Sequence, residues 1–102
     1  MEAGPDAAEA LRPWLHLARR GGSLAIGHRA VRMALRRGSC HLVVRAGDAG
    51  ESLRRLDTGR VPVLEIGDRV LLGGWLGRGE VAILGLTDRN LAAGALARIG
   101  VG

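Results

Sequence analysis

Apolar positions along the chain switch repeatedly between a helical and an extended spacing. In residues 6–20, Leu11, Trp14, Leu15 and Ala18 recur at helical intervals until Gly21-Gly22 stops them. Pro13 has no N–H to give, so it must sit in the first turn of this helix or kink it. Ser23 to Ile26 reads as a short strand, and Gly27 opens a second helix that Gly38 closes. Arg36 and Arg37 fall in its last turn, where cations suit the helix dipole. The β-branched run at 41–46 predicts a strand. Asp48 is placed to cap a helix through about Leu56, which Thr58-Gly59 would end. Val61 to Ile66 reads as a strand with Pro62 at its start or on an edge. After a Gly67-Asp68 turn comes a short helix or turn over 70–76 and a loop over Gly77-Arg78-Gly79-Glu80. Val81 to Leu86 is the last strand. Thr87 or Asp88 caps a final helix with Leu91, Ala92, Ala95, Leu96 and Ile99 on one face. About four strands alternate with helices, which predicts a sheet covered on both faces, an α/β/α arrangement.

Composition narrows the class. The 102 residues suit a single domain, with residues 1–5 and 100–102 expected to be loose. The 47% hydrophobic and 25% charged content is that of a globular protein. No apolar run approaches the roughly 20 residues of a membrane span. The N-terminus starts with Glu2, Asp6 and Glu9 rather than a basic, apolar leader, so a cytoplasmic location is expected, with no membrane partner. The single cysteine, Cys40, excludes an internal disulfide and every cysteine-cluster zinc site. It precedes a strand and is read as a small buried hydrophobe. There is no Phe or Tyr, which disfavours RNA-binding modules that stack bases on rows of aromatics. Trp75 is read as a core anchor. Because no lysine is present, P-loop and Schiff-base chemistry are absent.

Charge is distributed unevenly. Residues 1–9 hold three acids and no arginine, residues 10–47 eight arginines and no acid, and residues 48–102 seven of each, for a net charge of +5. A basic first half on a neutral scaffold is the footprint of a polyanion, most often a nucleic acid. The second helix concentrates it. At 100° per residue Val31, Ala34 and Leu35 fall on one side, and Arg29, Arg32, Met33 and Arg36 on the other. The apolar side can pack on the sheet. The arginines then offer bidentate forks to phosphates, beside a helix N-terminus whose first N–H groups point outward at Gly27. His28 can donate to a phosphate or stack on a base. Like charges at neighbouring helix positions repel by a few tenths of a kcal/mol per pair, which favours a partner that relieves the repulsion.

Two stretches carry a family resemblance: Leu17-Ala18-Arg19-Arg20-Gly21-Gly22-Ser23-Leu24-Ala25-Ile26-Gly27, and Ala30-Val31 through Ala34-Leu35-Arg36-Arg37-Gly38. Later landmarks follow in order: 41–49, Val61-Pro62-Val63, Leu72-Gly73 with Gly77, and Val81 to Asp88. Over roughly residues 11–98 the chain resembles the ribosomal L-seven-Ae / L-thirty-e superfamily of RNA-binding proteins, particularly its short bacterial YlxQ-like branch. The resemblance implies a three-layer α/β/α sandwich with a mixed central sheet, no enzymatic activity, no cofactor, and binding of structured RNA such as rRNA or a kink-turn, with the ribosome as a partner. The resemblance matches Gly27 and maps a second RNA-contacting loop onto Arg78, Gly79 and Glu80 before the last strand; with His28, Arg29, Arg32, Met33 and Arg36 from the helix face above, these are the candidate RNA contacts. The sequence departs from the family where bases are read. Arg29 stands at the asparagine position, Ala30 at the glutamate, Met33 at the lysine, and Gly50 at a further RNA-contacting glutamate. The helix between Asp48 and Val61 also looks shortened. Phosphate contacts position a protein and base contacts specify sequence, so the pattern predicts RNA binding without the kink-turn reading set.

No other constellation carries chemistry. His16, His28 and His41 lack metal spacing, Ser23 and Ser39 have no evident base, and Gly73-Gly74-Trp75 lacks the context of a dinucleotide site. No small-molecule substrate is expected. Two alternatives remain: a protein-interaction module on the same fold, favoured by an exposed apolar patch around Met33 or Trp75, and an accessory RNA-binding domain serving an RNA-modifying partner such as a ribose methyltransferase.

Overall fold

The structure is a computed structural model and describes residues 4–100. Residues 1–3 and 101–102, within the ends expected to be loose, lie outside the described residues. The elements run α1 (Pro5–Arg20), β1 (Leu24–Ile26), α2 (His28–Arg36), β2 (Leu42–Ala46), α3 (Glu51–Arg54), β3 (Val63–Ile66), α4 (Arg69–Trp75), β4 (Ile83–Leu86) and α5 (Arg89–Arg98). They match the pattern of apolar spacing closely, with differences at several boundaries. Pro13 lies exposed in the interior of α1, past its first turn, where it removes one helical hydrogen bond.

The four strands form a mixed sheet in the order β1-β4-β2-β3. β4 pairs antiparallel with both β1 and β2, while β2 and β3 are parallel. Strand alternation sorts side chains into two cores. Leu42, Val44, Leu64, Ile66, Leu84 and Leu86 face α1, α4 and α5 with Leu11, Leu15, Leu72 and Trp75. Val43, Val63 and Ile83 face α2 and α3 with Val31, Ala34 and Leu53. Helices on both faces make this the α/β/α sandwich that the alternating elements predict. Gly85 belongs to the α2 face, where a Cβ would stand 2.8 Å from Cys40 Sγ.

Two predicted strands are shorter than the apolar runs suggest. Val61 donates its N–H to Thr58 within a turn, and Pro62 has none to give, so β3 begins at Val63. Val81 donates to the Arg69 carbonyl in α4 rather than to the sheet, so β4 begins at Ile83.

The capping role expected of Asp48 is corrected. The helix that follows is a single turn, Glu51–Arg54, with Gly50 at its N-cap and no side-chain cap. Asp48 instead reaches across the sheet end. Its Oδ1 accepts from the Arg69 N–H at 2.9 Å, and its Oδ2 lies 3.4 Å from Arg69 Nε. Parallel pairing of β2 and β3 brings residues 47–48 beside 67–69, and Gly47 donates to the Gly67 carbonyl at 2.9 Å. The caps on α4 and α5 are ordinary: Asp68 accepts from Leu71 N–H, and Asp88 from Asn90 and Leu91.

Candidate functional site

The helix singled out in the sequence has the orientation its wheel predicts. Val31 and Ala34 are buried against β4, Leu35 packs beside them, and Arg29, Arg32, Met33 and Arg36 are exposed. Gly27 precedes the helix at φ 94°, a backbone conformation that L side chains rarely adopt. Its own N–H donates to the Ile83 carbonyl at 2.9 Å, which ties the start of α2 to the start of β4. No side chain caps α2 and its first turn holds no acid. The first N–H groups of α2 therefore have no side-chain acceptor among the described residues, with Arg29 exposed beside them and His28 half-buried.

Antiparallel pairing of β1 and β4 places the start of β4 at the end of the sheet where α2 begins. Arg78, Gly79 and Glu80 are all exposed. Arg78 N–H donates to the Gly73 carbonyl at 2.8 Å, and Val81 N–H to Arg69. Gly73 permits the loop to lie on α4, since a Cβ there would stand 2.5 Å from the Gly79 carbonyl oxygen. Glu80 faces Arg69 Nε at 3.5 Å, and Arg69 also faces Asp48. Sequence reasoning missed Arg69 as the partner of Glu80. The link runs through tertiary contact, and no local spacing signals it. Exposed Val70 and Leu71 open α4 next to this cluster and were likewise missed.

The acid-free run of arginines divides into two groups. Arg12 pairs with Glu9 at 3.3 Å and lies over the Trp75 ring, and Arg19 donates to the Leu76 carbonyl. Arg45 is paired with Glu65 at 2.9 Å on the adjacent strand, and both are largely buried. Arg54 joins them, reaching Glu65 at 3.8 Å and the carbonyls of Ala49 and Gly47. Arg20, Arg29, Arg32, Arg36 and Arg37, by contrast, have no hydrogen-bond or ion-pair partner among the described residues. The three that line the outer face of α2 stand at i, i+3 and i+7 and form one strip about 10 Å long.

The remaining candidates resolve as scaffold. His16 Nε2 lies 2.9 Å from the Trp75 carbonyl, which pins α1 to α4. Of the two residues around which an exposed apolar patch would favour a protein partner, Trp75 is buried and Met33 is exposed. Cys40 is buried and burial pushes its thiol up from the usual value. Among the described residues no group of three or more His, Cys, Asp or Glu could hold a metal ion, and no helix is long and apolar enough to cross a membrane.

The sequence matches no protein-family model and no curated protein sequence. Solved structures do match. A protein of unknown function from Bacillus halodurans is 31% identical, with 90% of this chain and 97% of that chain covered at a TM-score of 0.77. The chain belongs to the same family as that protein. A 15.5 kD RNA-binding protein from Giardia lamblia is 20% identical, with 95% of this chain and 87% of that chain covered at a TM-score of 0.75. This family therefore shares the fold of that Giardia protein.

Proposed function

We propose that this protein is a non-enzymatic RNA-binding protein of the L-seven-Ae / L-thirty-e superfamily. It acts as one domain on structured RNA, such as rRNA at the ribosome, in the cytoplasm. The observation that carries the reading is the unpaired arginine strip of α2, Arg29, Arg32 and Arg36, which starts beside the uncapped helix N-terminus at Gly27. Guanidiniums without internal partners, held on one rigid face, suit phosphates better than any role in the fold. His28 and Met33 on the same helix, and Arg78, Gly79 and Glu80 in the loop before β4, complete the proposed interface. The sandwich shared with an RNA-binding protein supports the same reading.

The contacts are chiefly to phosphate. Arg29, Ala30, Met33 and Gly50 occupy positions where the superfamily reads kink-turn bases, and none supplies the amide, carboxylate or ammonium group found there. Binding should therefore depend on RNA shape and charge more than on a kink-turn sequence.

Ultraviolet cross-linking in cells, followed by sequencing of the attached RNA, tests this reading. Discrete structured segments, rRNA among them, are the expected result. A pull-down treated with ribonuclease separates the rival class, since partners that survive the treatment would point to protein contact and overturn the RNA reading.

A further inference from the structure

The arginine strip does not end at the last turn of α2. It runs into a groove of about 800 Å³ at the opposite end of the sheet from Gly27, where β2 and β3 begin and β4 ends. Arg32 and Arg36 line one side of it. Arg60, from the loop before β3, and Arg89, the first residue of α5, line it from elements far apart in sequence. All four guanidiniums lack an ion-pair or hydrogen-bond partner among the described residues. Among the described residues the one acid lining the groove is Asp57, which is held by its own turn, accepting from the Gly59 N–H at 2.9 Å. Leu35 and Pro62 supply apolar wall on which a base can lie.

Arg89 sits at an unfavourable place for a cation. A positive charge at the first position of a helix opposes the helix dipole, and Asp88 beside it accepts from Asn90 and Leu91 in capping α5. Three further arginines in the same groove add repulsion. Such crowding is relieved by a ligand with several regularly spaced negative charges, and a phosphodiester backbone has that form.

We infer that this groove is a second RNA-backbone site, so that a bound RNA runs along α2 from the Gly27 end into the arginine groove. The inference rests on the RNA-binding reading above and extends it to Arg60 and Arg89. The strip makes the path continuous: Arg29 belongs to the first site, while Arg32 and Arg36 serve both.

The test uses the full chain and a fluorescein-labelled rRNA hairpin, with binding measured by anisotropy across a salt series. Arg60→Ala with Arg89→Ala should weaken binding about tenfold and flatten the slope of log K against log salt by roughly 1.5. Thermal stability should stay the same or rise, because neither side chain holds the fold together. Arg60→Lys with Arg89→Lys should keep most of the slope. Arg29→Ala with Arg78→Ala reports on the other end separately. If the wild type binds and R60A/R89A matches it in affinity and slope, the groove is overturned while the RNA reading stands. If the wild type itself fails to bind any hairpin tested, the RNA reading falls and the groove falls with it.

Discussion

Two groups of arginines lie on the same side of the sheet and do opposite things. Arg45 on β2 and Arg54 on α3 converge on Glu65 of β3, with Arg45 and Glu65 at paired positions of adjacent parallel strands. Arg29, Arg32 and Arg36 sit one layer outward on α2 and meet no carboxylate among the described residues. The inner group is consumed by the fold. Glu65 would otherwise be a desolvated charge on a strand, and the two guanidiniums also satisfy carbonyls of Gly47, Ala49 and Leu53. The outer group is a cost to the fold, through like-charge repulsion that only an external anion removes. An arginine count therefore says little about binding until each guanidinium has been matched with its partner.

That contrast is most sharply broken at its inner member. Glu65→Ala leaves Arg45 largely buried and unpaired. It should cost about 2 kcal/mol, less than a fully buried pair because some solvent reaches both groups. Thermal denaturation should show this as a fall of about 10 °C, with RNA affinity of the folded protein unchanged. A steric change between α4 and the loop before β4 comes next. Gly73→Ala forces a Cβ against the Gly79 carbonyl and should cost about 1–3 kcal/mol while displacing the loop that carries Arg78. Urea denaturation measures the first effect, and amide hydrogen exchange at 77–80 the second.

Removing the outer group should have little effect on stability. Arg29→Ala, Arg32→Ala and Arg36→Ala together should change it by no more than about 0.5 kcal/mol, tending upward, since exposed side chains without partners contribute little. Smaller still is the effect of Cys40. Its thiol is raised in the folded state, chiefly by burial. Its contribution is therefore fully present below the usual thiol value and is lost as pH rises toward and through the folded value. Alkylation by iodoacetamide at neutral pH should be slow in the native protein and rapid in urea, and Cys40→Ser should remove this small alkaline dependence.

The elements of the sandwich were readable because each rests on local periodicity: α2 from the spacing of Val31, Ala34 and Leu35, and β2 from Leu42 to Ala46. The exposed strip was readable for the same reason. Asp48 was misread because its acceptor role is decided by the neighbouring strand, which brings Arg69 from 21 residues away. The Glu65 pairing of Arg45 follows from parallel register, and the groove follows from the meeting of α2, the 57–62 turn and α5. None of these has a local signal. A run without acids in sequence is not a surface without acids in space, as Arg45 shows.

The most direct test is the salt dependence of structured-RNA binding by the wild type and by the R29A/R32A/R36A variant. The wild type should bind with a steep slope, and the variant should bind more weakly with a slope shallower by about 2, at roughly 0.7–0.9 per lost phosphate contact. Equal affinity and equal slope for the two proteins would contradict the assignment of this face of α2 to RNA.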